Sequence, residues 1–267
     1  MYSVIIPHKD EELLDWTVQN VYREIPDAQI ITLDDTPIKG IGFRRDQGIR
    51  HAKHDTVFLL DAHMDFSKGF FHSMAEVLES NPKSISCSVC KSMDKDRSAG
   101  EIRGKGAFLQ EIKDGKAFVS RWNQTDGQPG SILGGAYCLS KSWYLDGLNA
   151  PWRFHRCWGK SEQIIGITNF LCGGENLVNH DVWASHLFKK SIVATESYHN
   201  QVKVNTWFII FCLCDEESRK RILRECFGKN LAPDYGTKTL NQRGAIASMR
   251  GFLSRNAVRD YKDFPFC

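Results

Sequence analysis

Neither glycine-rich phosphate loop, GxGxxG nor GxxxxGK, occurs in the sequence, which disfavours a dinucleotide-dependent enzyme and a P-loop ATPase. Long apolar runs are also missing. The longest, 207–213, is far short of the ~20 residues needed to cross a bilayer and reads as a buried helix. No charged leader with an apolar stretch precedes the first strand, so the expectation is a cytoplasmic protein with no membrane partner. Cysteines number nine, an odd count, and Cys87 with Cys90 form one CxxC. The only other close pair, Cys212 and Cys214, lacks zinc-ribbon spacing, so the thiols are expected to be reduced core residues. There is no internal repeat.

What is present is an ordinary globular composition, 267 residues with 42% apolar and 25% charged, which excludes a disordered chain. Short apolar runs alternate with helical patterns over the first ninety residues, as in βαβ units that build a parallel sheet. Strands are expected at 3–6, 29–33, 56–60 and 84–89. Leu13, Leu14, Val18 and Val21, then Phe70, Met74, Val77 and Leu78, fall at helical spacing. Runs at 107–112 and 116–122 flank Asp114-Gly115 as a β-hairpin would. Residues 124–130 read as a loop. Residues 162–172 read as a helix stopped by Gly173-Gly174, and 204–214, 215–227 (Asp215 as N-cap) and 244–256 as further helices. The net charge of +3 is uneven, since 201–267 carry twelve Lys+Arg against seven Asp+Glu and the rest is slightly acidic. A basic surplus of this kind suits either a polyanion or a solvated helix face.

Open parallel sheets bind ligands beyond the carboxyl ends of their strands, so the polar residues that follow these runs are the first candidates: His8 to Glu11, Asp34 with Asp35, and 61–65. Asp61 and His63, two apart after an apolar strand, would point to the same side of an extended backbone and could share a cation. One carboxylate and one imidazole suit Mn²⁺ or a similar ion better than Ca²⁺, although the same pattern also occurs in turns carrying a surface histidine. Asp34 and Asp35 could accept hydrogen bonds from ribose hydroxyls or a base edge, or else cap a turn. Lys39, Arg44 and Arg45 lie between the two acidic sites and could offset diphosphate charge.

Together these residues resemble the GT-A glycosyltransferases, and among them the polypeptide N-acetylgalactosaminyltransferase branch. Ser3-Val-Ile-Ile-Pro-His-Lys-Asp-Glu11 resembles the family's opening strand and Asn-Glu turn, with Asp10 where Asn is usual. Leu33-Asp-Asp35 resembles its nucleotide-binding acidic pair, and Phe58-Leu-Leu-Asp-Ala-His63 its metal-binding Asp-x-His. Gly134-Gly-Ala-Tyr-Cys-Leu-Ser-Lys141 resembles the Gly-Gly strand beside the donor sugar. Trp158-Gly159 resembles the start of the Trp-Gly-Gly-Glu-Asn motif, and the spacing onward places His186 at the third metal ligand.

The resemblance covers about 3–190. It implies a GT-A (Rossmann-like) α/β fold: a mostly parallel central sheet flanked by helices, a small antiparallel hairpin, a catalytic domain over 1–200, and a basic helical extension over 201–267 packed on it. It also implies Mn²⁺ (or Mg²⁺) held by Asp61, His63 and His186, and a nucleotide sugar of the UDP class contacted by His8, Asp34, Asp35, Lys39, Arg45, Asp61, Gly134, Gly135 and Trp158. Lys160-Ser-Glu162 stands where the branch has Gly-Gly-Glu, and Gln163 where many inverting enzymes have an Asp base. Glu162 is therefore the candidate catalytic carboxylate, as base or as an acceptor-orienting group. Gly173-Gly-Glu-Asn176 repeats the motif's letters a helix too late. The acceptor is open between a hydroxymethylated base in DNA, met by the basic C-terminal region (Arg219, Lys220, Arg221, Arg224, Arg243, Arg250, Arg255, Arg259), and a cytosolic glycan or protein. Trp152, Trp158 and Trp183 could stack on a sugar or base, or be core. The competing readings are a non-catalytic nucleotide-sugar or nucleic-acid binding protein and a sugar nucleotidyltransferase.

Overall fold

The structure, a computed structural model, describes residues 1–36, 39–94, 96–122, 129–156, 159–188, 196–228 and 243–267, with side chains from 202 onward in the helix that begins at 196. Strand β1 (Ser3–His8) is the reference line of the sheet. Val4, Ile5 and Ile6 have no solvent exposure, because β1 lies between two parallel neighbours and is covered on both faces. Those neighbours are β2 (Gln29–Asp34) and β3 (Thr56–Leu60), with Ser3 opposite both Gln29 and Val57. Helix α1 (Leu14–Glu24) joins β1 to β2, and α2 (Ile41–His51) joins β2 to β3.

Helix α2 was not legible as a periodic pattern. Its buried face carries Arg45 and Asp46 beside Gly42, Gly48 and Ile49, so hydrophobicity does not mark it. Gly48 is there for contact distance: a Cβ would stand 2.4 Å from Ile5 Cγ2.

After β3 come β4 (Met64–Phe66), α3 (Phe70–Ser80), β5 (Ser84–Met93) and β6 (Ala99–Gly104), then later β9 (Ala136–Ser140), α4 (Ser161–Leu171) and β10 (Glu175–His186). The sheet order is β2-β1-β3-β9-β5-β10-β4, with β6 on β5. Pairing is parallel in β2-β1-β3 and across β5-β10. Strand β9 runs antiparallel between β3 and β5, and β4 antiparallel to β10, so the sheet is mixed. The expected strands are all present, those at β1, β2 and β5 running further than their apolar runs.

Side-chain alternation splits the core between the two faces. Ile5, Val57, Leu59, Ile85, Tyr137 and Leu139 pack toward α4 and the C-terminal helices. Val4, Ile6, Phe58, Leu60 and Cys138 pack toward α3, where Phe58 and Phe71 meet edge to face at 4.9 Å.

The hairpin is a separate two-stranded sheet, β7 (Phe108–Lys113) with β8 (Lys116–Arg121), turned by Asp114 and Gly115 at φ 50° and 68°. Helices α5 (Glu196–Cys212), α6 (Glu216–Phe227) and α7 (Arg243–Asn256) follow, and the Asp215 side chain accepts from Ser218 N–H as an N-cap. Phe208, Ile209, Ile210, Ile222, Met249 and Leu253 enter the same apolar cluster as β1 and β3. Among the described residues no helix is long and apolar enough to cross a membrane. The described cysteines are free, and Cys87, Cys90, Cys138, Cys172, Cys212 and Cys214 are buried.

Candidate active site at the carboxyl end of β3

Asp61 follows the last residue of β3, and its backbone N–H still donates to Gly135 O at 2.7 Å. That bond fixes the carboxylate at the sheet rim. Two residues on, His63 immediately precedes β4, and β4 pairs with the end of β10 so that Met64 lies opposite His186. Residues distant in sequence therefore converge because three strands end together. His63 Nε2 is 3.0 Å from His186 Nε2, and His186 Nε2 is 3.3 Å from Asp61 Oδ2. One ligand atom from each of the three lies within 4.8 Å of the others.

An oxygen and two imidazole nitrogens facing one another are a donor set that fits Mn²⁺ or a related divalent ion better than the all-oxygen shells of Ca²⁺ and Mg²⁺. Gly135 frames the site. Its φ is +106°, and a Cβ there would stand 3.4 Å from His186 Cδ2 and 3.6 Å from Asp61 Oδ2. The glycine keeps open the approach to the three donors.

Below this corner lies Arg45, with 1% of its side chain exposed. Its Nη2 donates to Asp61 Oδ1 at 3.2 Å and its Nη1 to Glu162 Oε1 at 2.8 Å, while its guanidinium carbon sits 4.9 Å from the centre of the Tyr137 ring. Burial works against the Arg45 charge, but Tyr137, Glu162 and Asp61 overturn it and the net shift is upward. For Asp61, burial alone would raise the carboxyl; the hydrogen bond from His186 and the charges of Arg45 and the two histidines outweigh it and hold the group well below the usual range. Glu162 stands in the first turn of α4, where its other oxygen accepts from Ser161 Oγ at 2.8 Å. It faces Gly134, whose missing Cβ would lie 3.5 Å from Glu162 Oε1.

Arg45, Asp61, Gly134, Gly135, Glu162 and His186 line one end of a cleft of about 1090 Å³, whose far walls are the β7-β8 hairpin, α5 and α6. Lys160 ties the hairpin to this end. Its Nζ donates to Ala117 O and Phe118 O at 3.0 and 2.7 Å, and burial lowers its pKa to about 8. Gln163, where a catalytic Asp would stand in the resembling family, donates to Ser120 Oγ of the hairpin at 2.7 Å.

A second hollow of about 320 Å³ opens at the carboxyl ends of β1 and β2, lined by His8, Asp10, Glu11, Asp15 and Asp34 among others. Asp34 is exposed there and accepts from the nearby Thr36 N–H. Asp35 is committed locally: it accepts from the N–H groups of Lys39 and Gly40 and from Arg44 Nε, stapling the chain into α2. Lys39 is exposed, with its Nζ 5.5 Å from the Phe43 ring. Trp158 lies outside the described residues, as do 124–128 of the expected loop. Trp152 is core, fully buried with its Nε1 donating to Ser161 O, and Trp183 is half-buried on β10 with Lys91 Nζ 4.7 Å from its ring centre.

Sequence reasoning placed Arg45 beside a diphosphate and did not find its bridge between Asp61 and Glu162. An arginine between Arg44 and Asp46 in a weakly amphipathic stretch carries no signal for burial. Nor did it find the contact of Glu11 Oε2 with His63 Nδ1, 3.3 Å apart. Of the basic C-terminal residues, Arg221 pairs with Glu111, Lys220 with Glu216 and Arg224 with Glu225, and Arg259 donates to Gly174 O.

No protein-family profile matches the chain, and no curated protein does. Solved structures do. The crystal structure of GalNAc-T7 with UDP, GalNAc and Mn²⁺ superposes with a TM-score of 0.73 at 12% identity, covering 98% of this chain and 56% of that one. S. aureus TarS 1-349 in complex with UDP-GlcNAc superposes with a TM-score of 0.53 at 12% identity, covering 96% and 83%. This chain thus spans just over half the length of the GalNAc-T7 chain. At such identity the likeness is one of architecture, and on it the chain has the GT-A fold of glycosyltransferases.

Proposed function

We propose that the chain is a divalent-metal-dependent glycosyltransferase that moves a sugar from a nucleotide sugar of the UDP class to an acceptor hydroxyl. The observation that carries this reading is the convergence of Asp61, His63 and His186 at the glycine-lined end of a cleft, in a fold shared with structures described as holding UDP, UDP-GlcNAc and Mn²⁺. Asp61, His63 and His186 would hold Mn²⁺, which when bound supplies positive charge to a departing diphosphate. Asp34 and His8 hold the nucleoside in the smaller hollow, with Lys39 at its exposed edge. Asp35 shapes that loop. Gly134 and Gly135 let the sugar and diphosphate approach the backbone. Arg45 stays in the floor and fixes Asp61 and Glu162 relative to each other.

Glu162 is placed to accept a hydrogen bond from a hydroxyl standing over Gly134. If that hydroxyl is the acceptor's, proton removal contributes about 10² to 10⁴ in rate. Among acceptors, DNA has less to support it than the charge count suggests, because Arg221, Lys220 and Arg224 already stand beside glutamates and Arg259 donates to Gly174 O; a glycan or protein hydroxyl is the reading we favour.

The test is UDP release from a panel of UDP-sugars with Mn²⁺. Release that EDTA abolishes and Mn²⁺ restores is expected. Tight binding of UDP-sugar with no release would make the chain a binding protein. Formation of UDP-sugar from UTP and a sugar phosphate would make it a nucleotidyltransferase, although the turn after β1 holds Asp10, Glu11 and Glu12 in place of a basic glycine-rich loop.

A further inference from the structure

The two candidate histidine ligands differ in what stands against Nδ1. His186 Nδ1 is buried without a hydrogen-bond partner among the described residues. His63 Nδ1 faces the Glu11 carboxylate at 3.3 Å, with 12% and 17% of the two side chains exposed. The rings meet edge on, centroids 4.5 Å apart at 68°, with their Nε2 atoms facing each other. Two protonated Nε2 atoms cannot share that space, and a cation at this corner would need the Nε2 lone pair of both rings, so the proton of a neutral His63 has to sit on Nδ1.

Glu11 reaches this place through a backbone turn. β1 ends at His8, Asp10 adopts φ 48°, and Leu14 N–H closes on Glu11 O at 3.2 Å. A left-handed non-glycine residue costs about 1 kcal/mol and is tolerated best by Asp and Asn. This turn carries the Asp10-Glu11 pair, and its strain sits beside the site.

We infer that Glu11 is a positioning residue: its carboxylate keeps the proton of His63 on Nδ1 and so presents the Nε2 lone pair to the point shared with Asp61 and His186. The inference rests on the reading of that corner as a metal site, but the state of the His63 ring can be read without any metal. Outer carboxylates of this kind are worth about 10-fold to 100-fold in metal affinity.

The test compares the wild-type chain with Glu11→Leu and Glu11→Gln. In EDTA at mildly alkaline pH, ¹⁵N shifts of the His63 ring should report the Nδ1–H tautomer in the wild type. They should shift toward Nε2–H in Glu11→Leu, and stay largely Nδ1–H in Glu11→Gln, whose amide oxygen still accepts. Mn²⁺ affinity, measured on the protein alone by electron paramagnetic resonance of free Mn²⁺, should fall about 10-fold to 100-fold in Glu11→Leu and less in Glu11→Gln. The melting temperature in EDTA controls for misfolding. An unchanged His63 tautomer in a folded Glu11→Leu overturns the inference. Absence of Mn²⁺ binding by the wild type would instead overturn the metal reading and leave the tautomer result to judge Glu11.

Discussion

Charge is used in opposite ways at the two ends of the chain. At the ends of β3, β4 and β10, a few charged side chains turn inward and meet: Arg45 is 1% exposed, and Asp61 and Glu162 each 22%. On α6 charge is abundant and turned outward, with Lys220 73% and Arg224 74% exposed and each beside a glutamate of its own helix. Strands that end together can aim side chains from distant parts of the sequence at one point. A helix surface spreads them along its length. Net charge therefore points to the C-terminal quarter, while geometry points to the sheet rim.

The largest effect expected from this contrast is at Asp61. Asp61→Ala should lower UDP release by two to three orders of magnitude, on the order of what removal of one charge-stabilising group costs, and should abolish Mn²⁺ binding. Wild-type turnover in that variant would remove the strand-end corner as the active site. Next is Arg45→Met, which leaves two carboxylates without their shared partner. Breaking a buried ion pair by removing one side costs about 3–5 kcal/mol, and urea unfolding should show it. Arg221→Met, removing an exposed pair with Glu111, should cost under about 1 kcal/mol by the same measurement. Equal losses would erase the distinction between the two regions.

A smaller, pH-dependent difference is expected where the two regions join. His155 is buried, its Nε2 bonded to Gly159 O at 2.9 Å beside Asn205 of α5, and burial lowers its pKa from 6.5 to about 4. The unfolded chain therefore binds this proton more readily than the folded one between those values. Stability should fall as pH drops from about 6.5 to about 4. His155→Phe should flatten that slope in urea titrations across the window. A slope unchanged in the variant would assign it to other groups.

The fold was legible wherever burial follows hydrophobicity. β1, β3 and β5 are apolar runs, α3 and α4 carry apolar stripes, and Asp114-Gly115 and Gly173 mark turns by their tolerance of positive φ. It was illegible where polar groups are buried, as in α2, and where a later strand enters an earlier sheet. Nothing local in 136–140 says that it will separate β3 from β5. At the site, residue types suggested Asp61 and His63, and the resemblance placed His186 with them. The bridge from Arg45 to Asp61 and Glu162 and the contact of Glu11 with His63 join side chains on different elements, and no spacing rule reaches them.

The smallest expected effect is on α6. Lys220→Ala with Arg224→Ala removes two charges whose present partners, Glu216 and Glu225, lie on the same helix and are themselves well exposed. Such pairs gain little because solvent screens them and ordering two long side chains offsets the attraction. The double variant should melt with the wild type and release UDP at the wild-type rate with a glycan acceptor. If duplex DNA were the acceptor, those two cations would be free to leave their glutamates for phosphates. Affinity would then fall steeply with salt, and the slope of log affinity against log salt would shrink by about 1 for each phosphate contact removed. A salt slope that is shallow in the wild type and unchanged in the variant leaves α6 as a solvated face; a steep slope that the variant reduces would make the outward charges a working surface and move the acceptor toward nucleic acid.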